Sequence, residues 1–583
     1  MRKISVSLVG VVDYNDVSDS RDKTAGARSL RQTPASVHGA GQRKPGIAKR
    51  QRFWLVPRNK GMEMTRASSR LMKACTATGS VVAVVAILAA PTVLAQGAFK
   101  PVIPKVWDDA ALADWATPVA GLNVRAKHLS SKEYYSVPID NLKAYPVYFP
   151  GREPAGYWEM LQRVGPKPLI QPEKLKTEAD WIEAGRQIFM GADHIQQRTF
   201  DPRFIALVRD KKALQELNVE PRPDGTLTDV LWVPTRQGVA LSMPNCAACH
   251  TWYSSTGEAF PGAPYGGGRR FRQTPLGPQM HLANRLVNAS APFIMSKDRP
   301  FGEWLYQAWG VPWRDDDVHT RLKKITPAEY DELRRWHGRS AGLPRWNGSI
   351  FHPQKTPDLV GIRERKYIDA TATHLHRNIG DLMRYAALVN FAEPSEFGPY
   401  RVLAADTQRV NARRSDEALY ALALYIYSLS PPPNPNQFDE KAKAGQQVFQ
   451  EAGCSTCHTP PLYTNNKLTL AAGFKPPANI PRSLDVMRIS VGTDPGLALA
   501  TRKGTGYYKV PSLKGVWYRG RYLHNGAVAT LEEMFNPDRL KDTHVPGGWR
   551  PFGTETWAIR GHEFGLDLTP EKREQLIAFL RTL

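Results

Sequence analysis

The spacing of apolar residues predicts amphipathic helices that occur in matching pairs. After Ser415, and again after Thr569-Pro570, apolar side chains recur every three or four residues, at Leu419, Leu422, Ile426 and Leu429 and at Leu576, Ile577, Leu580 and Leu583. Serine and threonine cap helix N-termini and proline suits the first turn, so each helix begins there. A second pair is predicted at Ala184 to Phe189 and Ala444 to Phe449, which share the pattern Ala-Gly-x-x-x-Phe.

A third match involves a loop. The segment Lys355 to Ile362 resembles Lys509 to Val516, and each is followed within a few residues by a tyrosine, Tyr367 or Tyr522. Three pieces that recur in one order predict a duplicated chain. We therefore expect a mainly α fold of two cytochrome c-like haem domains.

The boundary between the domains is predicted at Pro431 to Pro435, a stiff run that cannot continue the preceding helix. This gives an N-terminal haem domain of residues 96–430, enlarged by insertions such as 190–245, and a C-terminal cytochrome c domain of residues 438–583.

Residues 62–95 have the features of a secretory signal peptide. Three basic residues precede the apolar run Val81 to Ala90, and small residues after it form a cleavage site that ends at Ala95. The run is shorter than the roughly 20 residues of a spanning helix. We expect cleavage, a periplasmic or secreted location and no stable membrane span, with retention as an anchor as the alternative.

Residues 1–61 lie upstream of this signal, whose natural start is Met62 or Met64. They contain thirteen Lys and Arg, four Asp and no sustained apolar periodicity, which predicts a disordered or untranslated extension. Without residues 1–61 and 62–95, which have nine and two more basic than acidic residues, the formal charge falls from +23 to +12. A basic arm for nucleic acid is the alternative, but an exported chain rarely meets nucleic acid, so we expect no such partner. A mildly basic surface suits an acidic redox partner.

Four of the five cysteines lie in two short motifs, Cys246-Ala-Ala-Cys249-His250 and Cys454-Ser-Thr-Cys457-His458. The pattern C-x-x-C-H is the attachment site of c-type haem. The two thiols lie one turn apart and can face one porphyrin, while the histidine reaches the iron as its proximal ligand. Two covalently bound haems are predicted, with His250 and His458 on the irons.

Zinc and a redox dithiol are the alternatives. A zinc site of two C-x-x-C pairs would leave both following histidines unexplained. A thioredoxin-like dithiol would explain one pair but not two. The fifth cysteine, Cys75, lies within the predicted signal peptide.

In the second half, the Ala-Gly-x-x-x-Phe helix is followed by C-x-x-C-H, by Lys509 to Val516 and by Tyr522 to Gly526. This order resembles that of the bacterial di-haem cytochrome c peroxidase superfamily. The likeness covers the second domain well and the first more loosely. The superfamily includes peroxide-reducing enzymes, enzymes that mature a tryptophylquinone cofactor, and rubber oxygenases.

The resemblance implies one iron with an open face for an oxidant and another with two protein ligands. We therefore expect an oxidoreductase that passes electrons between its haems and reduces peroxide at the first, with a small redox protein or small molecule as electron donor. A di-haem oxygenase that uses O₂, like the rubber oxygenases, is an alternative because the first domain is large. A non-catalytic electron carrier is a further alternative. A structural calcium ion is left open.

The second ligand of the second iron has several candidates: His562, His524, Met534 and His544. The resemblance weakens His524, because the matching histidine of peroxidase relatives is not the axial ligand. It places His562 first, with His524 and Met534 behind. The choice matters because a thioether ligand raises the potential of a haem and a second imidazole gives a lower one. Each loop histidine has the alternative role of an ordinary hydrogen-bonded side chain.

Near the first haem, His374 and His376 either cap the iron, bond to something bound there, or leave an apolar open face. Glu303 and Asp315 to Asp317 are candidate acid–base groups, with a solvated loop as the alternative. An indole between haems can relay electrons, although most tryptophans are core residues. The candidates between the two motifs are Trp304, Trp309, Trp313, Trp336 and Trp346.

Overall fold

A computed structural model describes residues 99–122, 124–190, 200, 202–216, 221–242, 246–254, 258–264, 300–337, 350–390, 396–401 and 412–583. The predicted extension, 1–61, and the predicted signal peptide, 62–95, lie outside these residues and stay predictions.

The α-helices of the described residues are α1 (Asp109–Leu112), α2 (Ser131–Ser136), α3 (Tyr157–Val164), α4 (Glu178–Met190), α5 (Pro202–Arg209), α6 (Lys211–Glu216), α7 (Cys246–Cys249), α8 (Phe301–Trp309), α9 (Pro327–His337), α10 (Ile379–Asn390), α11 (Asp416–Ser428), α12 (Glu440–Glu451), α13 (Gly496–Leu499), α14 (Leu531–Met534) and α15 (Pro570–Thr582). Short 3₁₀ turns lie at Pro172–Lys174, Val318–Lys324, Ile362–Glu364, Cys454–Thr456 and Pro537–Leu540.

The strands are β1 (Tyr145–Tyr148), β2 (Thr226–Thr235), β3 (Gly238–Ser242), β4 (Thr251–Tyr253), β5 (Ala259–Pro261), β6 (Tyr367–Ile368), β7 (His374–Leu375), β8 (Glu396–Phe397), β9 (Tyr400–Arg401), β10 (Leu468–Leu470), β11 (Val486–Ser490) and β12 (Tyr507–Lys509). One sheet has the order β1-β2-β3, with antiparallel neighbours. A second has the order β11-β10-β12, in which β10 runs parallel to β11 and antiparallel to β12. The pairs β4–β5, β6–β7 and β8–β9 are antiparallel.

The described chain is therefore mixed helix and sheet, and the prediction of a mainly α fold is not confirmed. Much of the difference comes from the predicted insertion 190–245, where β2 and β3 form a hairpin that pairs with β1. Trp232 and Leu241 on this sheet pack with Leu161 of α3 in a separate apolar cluster. Valine, threonine and tryptophan favour such a half-buried pleated surface.

The helix pair α4 and α11 and the helix pair α12 and α15 have the same kind of closest contact, between a glycine and a backbone carbonyl. A Cβ added to Gly185 of α4 would lie 1.9 Å from the carbonyl oxygen of Ala421 in α11. A Cβ added to Gly445 of α12 would lie 1.9 Å from the carbonyl oxygen of Gln575 in α15. Only glycine lets the two backbones come this close. The glycine of the Ala-Gly-x-x-x-Phe pattern is thus the contact point of each pair.

The closing helices α11 and α15 also begin in the same way. The side chain of Ser415 accepts a hydrogen bond from the backbone N–H of Ala418, and Thr569 accepts one from that of Lys572. Both caps were predicted from the sequence.

Reciprocal backbone hydrogen bonds join the two halves. The N–H of Lys355 donates to the carbonyl of His524 (2.9 Å), and the N–H of Lys509 donates to the carbonyl of Ala370 (3.0 Å). Lys509 follows Lys355 by 154 positions, and His524 follows Ala370 by the same number. Each half therefore donates one hydrogen bond to the other and accepts the equivalent bond in return, as in an isologous contact between two copies.

The lysine side chains repeat this exchange. Nζ of Lys355 donates to the carbonyl of Arg521 (2.7 Å), and Nζ of Lys509 donates to the carbonyl of Tyr367 (3.1 Å). These pairs are again 154 positions apart.

The same offset gives the exact register of the repeat. Ile368 pairs with His374 in the first half, and Tyr522 pairs with Val528 in the second. Tyr522 is therefore the counterpart of Ile368. The sequence predicted only that a tyrosine follows each loop within a few residues, and the backbone pairing sets the register.

We expect Gly445→Ala to destabilise the protein by about 1–3 kcal/mol, because the new methyl group must separate α12 from α15. Gly520→Ala is the matched control, since nothing lies within 4 Å of a Cβ at Gly520, and its effect should stay within about 0.5 kcal/mol. Denaturant unfolding of the two variants tests this. Equal stabilities would show that the helices do not depend on the glycine contact.

Candidate haem sites

The second C-x-x-C-H motif begins where α12 ends. Gly453 has a left-handed backbone (φ 71°), and a single 3₁₀ turn, Cys454–Thr456, follows it. The N–H of His458 donates to the carbonyl of Cys454 (2.9 Å). This turn places both thiols and the imidazole on the wall of one cavity.

The cavity has a volume of about 310 Å³. Part of its lining is apolar and comes from α12, α14 and α15. It is lined by Phe449, Leu531, Met534, Phe535, Leu576 and Leu580 together with Cys454, Cys457, His458 and His562. Burial raises the pKa of both thiols.

His458 is oriented by backbone carbonyls. Its Nδ1 lies 3.1 Å from the carbonyl oxygen of Tyr463, and the carbonyl of Pro511 also bonds to the ring. A carbonyl can only accept, so Nδ1 carries the proton and Nε2 keeps the lone pair that binds a metal. Burial lowers the pKa of the imidazole, which keeps it neutral.

His562 faces His458 across the cavity. The two ring centres are 6.3 Å apart. Imidazole nitrogens bind metal ions at about 2 Å, so two imidazoles on opposite sides of one ion have ring centres roughly 6 Å apart. Burial lowers the pKa of His562 to about 4, and its Nδ1 is buried with no hydrogen-bond partner. The pair is therefore neutral and spaced for a shared ion.

The backbone around His562 is held in a rare conformation. His562 has a φ of 48°, a left-handed value that is uncommon for a residue with a side chain. The buried guanidinium of Arg539 donates to the carbonyls of Gly561 (3.0 Å) and His562 (2.8 Å), and the N–H of His562 donates to Val491 (2.6 Å). Strain of this kind is retained where the surroundings enforce it, often at functional sites.

The other candidate ligands have different surroundings. Nε2 of His544 lies 3.0 Å from Oε1 of Glu533, which ties that ring to a carboxylate. His524 stacks on Tyr508 with ring centres 4.4 Å apart, and its Nε2 lies 3.2 Å from the Tyr508 hydroxyl. His524 and Met534 both line the cavity. Of these four candidates, His562 is the one whose ring lies opposite that of His458.

The first motif repeats the orientation of the second. Cys246–Cys249 is one helical turn, α7, and the N–H of His250 donates to the carbonyl of Cys246 (3.0 Å). Nδ1 of His250 lies 3.0 Å from the carbonyl oxygen of Pro357. Pro357 is the counterpart of Pro511, 154 positions earlier. The matching loop thus supplies the orienting carbonyl in both halves, a role that the sequence match alone did not reveal.

His374 and His376 are both occupied elsewhere. Nδ1 of His374 lies 3.0 Å from the Thr373 hydroxyl, and its Nε2 lies 3.3 Å from Nε2 of His128. His376 uses Nδ1 toward the carbonyl of Arg365 (2.8 Å) and Nε2 toward the Tyr427 hydroxyl (2.7 Å). These bonds are to other protein groups, so the roles predicted for the pair at the first haem stay predictions.

The acidic candidates have local structural roles. Asp317 is buried and caps a 3₁₀ turn, accepting from the N–H groups of Val311 and His319 (2.9 Å each). Asp316 pairs with Arg314, and Glu303 is exposed. These contacts favour the structural alternative over acid–base chemistry.

Most of the predicted relay tryptophans are packed into apolar or cation–aromatic contacts. Trp304 and Trp309 belong to one buried cluster, Trp313 stacks on Phe397, and Trp336 donates to the carbonyl of Arg550 (2.7 Å). Trp346 lies outside the described residues.

An aromatic pair between the halves was missed. Trp252 follows the first motif in β4 and contacts Trp517 of the second half, with ring centres 6.4 Å apart. No periodicity connects these residues, so the sequence held no signal for the contact.

Two sequence comparisons bear on this site. Residues 506–544 match the model of a family described as RoxA-like, cytochrome c-like. The cytochrome-c peroxidase IdrP1 of Denitromonas iodatirespirans is 28% identical over 161 residues, which are 24% of this chain and 40% of that protein. The chain thus spans two fifths of the length of this curated relative.

The chain is a relative of the di-haem, peroxidase-like cytochromes. The resemblance predicted from the sequence motifs is confirmed. A covalently bound c-type haem is implied for a cytochrome of this superfamily, and the cavity at the second motif fits one. Apolar side chains form part of its wall, both thiols line it, and a neutral imidazole with an unpartnered nitrogen stands opposite the proximal histidine.

Two solved structures are also similar to parts of the chain. Hydrazine synthase of Kuenenia stuttgartiensis, pressurised with xenon, has 13% identity and a TM-score of 0.25, covering 51% of this chain and 92% of its own. A MauG-like protein associated with microbial copper homeostasis has 22% identity and a TM-score of 0.19, covering 29% and 52%. Scores this low carry no argument about this chain.

Two further findings concern only the described residues. They include no helix that is both long and apolar enough to cross a membrane. They also include no group of three or more His, Cys, Asp and Glu placed to hold a metal ion, so no site for calcium is found among them.

We expect His562→Ala to change the second haem from low-spin to high-spin, because the iron loses its second imidazole. His544→Ala is the matched control, since that ring is bonded to Glu533. Absorption and electron paramagnetic resonance spectra of the two holoproteins test this. The assignment fails if His524→Ala or Met534→Ala causes the change and His562→Ala does not.

Proposed function

We propose that the chain is a periplasmic di-haem c-type cytochrome oxidoreductase that reduces peroxide at the first haem and exchanges electrons at the second. Its haem domains are residues 96–430 and 438–583. The similarity to a cytochrome-c peroxidase supports the class of enzyme. The observation that carries the division of roles is the 6.3 Å separation of the rings of His458 and His562.

At the second haem, Cys454 and Cys457 would form the thioether bonds. His458 and His562 would hold the iron from opposite sides and leave no open position. Two imidazole ligands suit an electron-transfer centre and give a lower potential than a thioether ligand. The carbonyls of Tyr463 and Pro511 fix the tautomer of His458, and Arg539 fixes the loop that carries His562.

At the first haem, Cys246, Cys249 and His250 would take the same roles. His374 and His376 are bonded to other groups, which favours an open face on this iron. When bound, the two haems supply the redox chemistry, in which two electrons and two protons convert one hydrogen peroxide to two waters. A small redox protein or small molecule would donate the electrons. A cleaved signal peptide that ends near Ala95 would deliver the chain to the periplasm.

We expect electron paramagnetic resonance of the oxidised holoprotein to show one high-spin and one low-spin ferric signal. The high-spin signal comes from the open first iron, and the low-spin signal from the iron between His458 and His562. Two low-spin signals of equal intensity would instead identify a non-catalytic electron carrier and overturn the proposal.

Measurements of steady-state turnover distinguish a peroxidase from the alternative function, a di-haem oxygenase that resembles the rubber oxygenases. Steady-state oxidation of a reduced cytochrome by hydrogen peroxide should be fast, and O₂ with a polyisoprenoid should give no cleavage product. The reverse result would identify the oxygenase, which the large first half keeps as the alternative. The His250→Ala variant should lose peroxide turnover while the second haem keeps its low-spin spectrum.

A further inference from the structure

Four basic side chains line the same cavity. They are Lys355, Arg365, Lys509 and Arg519. Lys509 follows Lys355, and Arg519 follows Arg365, by the same 154 positions that relate the two halves. The cluster therefore consists of two equivalent Lys and Arg pairs, one from each half, that meet where the halves exchange hydrogen bonds.

The protein supplies little negative charge to balance them. Among the described residues, Asp358 is the carboxylate within 4 Å of the cluster: Oδ2 lies 3.7 Å from Nη2 of Arg365 and 3.7 Å from Nε of Arg519. The hydroxyl of Tyr518 donates to the same carboxylate oxygen (3.1 Å). One carboxylate thus faces four cations.

The nearby acidic groups have their own partners. Asp369 is buried and lies 3.3 Å from Nζ of Lys503. Glu364 lies 3.6 Å from Nζ of Lys514, and both of those side chains are about half exposed. The charge of Asp369 also acts on Lys509 but is shared with Lys503, and Glu364 is paired with the exposed Lys514.

The lysines have donors to spare. An ammonium group has three N–H bonds, and in the described structure Lys355 uses one toward Arg521 and Lys509 uses one toward Tyr367. Burial and neighbouring guanidinium groups lower the pKa of each ammonium to about 7. Buried excess charge of one sign is unfavourable unless an opposite charge compensates it, so the cluster is built to face an anion.

The same cavity contains the second C-x-x-C-H motif. A haem is apolar over its ring and carries two propionate groups on one edge. A haem attached at Cys454 and Cys457 would bring its propionate groups into the cavity that these four basic side chains line. Arginine and lysine both bind carboxylates, and arginine does so with a planar fork of donors.

We propose that Lys355, Arg365, Lys509 and Arg519 bind the propionate groups of the haem attached at Cys454 and Cys457. This rests on the haem attachment of the proposed function. Two of these four residues, Lys355 and Arg365, belong to the N-terminal half of the chain, whereas the haem would be attached to the C-terminal half. The N-terminal half therefore helps to set the potential of the C-terminal haem without supplying a ligand to its iron.

The test replaces one charge at a time in the holoprotein, as Lys355→Met and Lys509→Met. A nearby positive charge favours the ferrous state, because the ferric iron has one more positive charge. We expect each variant to lower the ferrous-to-ferric ratio of the second haem at a fixed electrode potential about tenfold, which is 59 mV for one electron. Spectroelectrochemical titration of the low-spin haem gives the ratio. The Lys355→Arg variant keeps the positive charge and should have the wild-type ratio.

Lys514→Met is the matched control. It removes the same charge from an exposed position close in sequence, where solvent and salt screen the effect, and the ratio should change less than about twofold. Equal shifts in the buried and exposed variants, or no shift in either, overturn the propionate assignment. A wild-type protein without covalent haem would instead overturn the proposed function.

A free anion is the competing occupant. If phosphate added at constant ionic strength shifts the wild-type ratio, and the shift is absent in Lys355→Met and Lys509→Met, the cluster binds dissolved anions and the propionate assignment is wrong. A ratio that does not depend on phosphate supports the propionates.

Discussion

The contact between Gly445 and the carbonyl oxygen of Gln575 sets the position of the second haem site. It lets the backbones of α12 and α15 touch. Because α12 runs directly into the turn that begins at Gly453, the docking of this helix also fixes where Cys454 and His458 lie. The partner helix supplies Leu576 and Leu580 to the same cavity. Rigid elements hold a site more accurately than free loops do, and here only Ala452 and Gly453 separate the attachment motif from such an element.

Much of this arrangement follows from local patterns. The spacing of apolar residues and the caps at Ser415 and Thr569 predicted the closing helices, and the repeated Ala-Gly-x-x-x-Phe predicted the helices against which they pack. The sheet β1-β2-β3 was not predicted, because it depends on the pairing of β2 with β1 from a distant part of the chain. It shows that the first half is more than an enlarged helical unit.

The opposite side of the haem site depends on long-range contacts that a sequence does not display. His562 came first among the candidates through a family resemblance alone. What brings its ring opposite His458 is a left-handed backbone and the bonds of Arg539 to two carbonyls. Lys355 and Lys509 were visible as matching residues, but their shared cavity is seen only when the two halves are in contact. A repeat in sequence marks equivalent positions without showing which of them meet.

The reciprocal hydrogen bonds of Lys355 and Lys509 affect how the sequences of the two halves can diverge. A contact in which each half gives what it receives is that of a symmetric dimer, but here both halves belong to one polypeptide, joined through Pro431 to Pro435. The tether keeps the effective concentration of one half for the other high, so the contact can be weak and still remain closed. Single substitutions then change one side only. Asp358 and its counterpart Ser512 are such a case, since a carboxylate stands on one side and a hydroxyl on the other. Fusion thus allows the two sides of a symmetric contact to differ in charge.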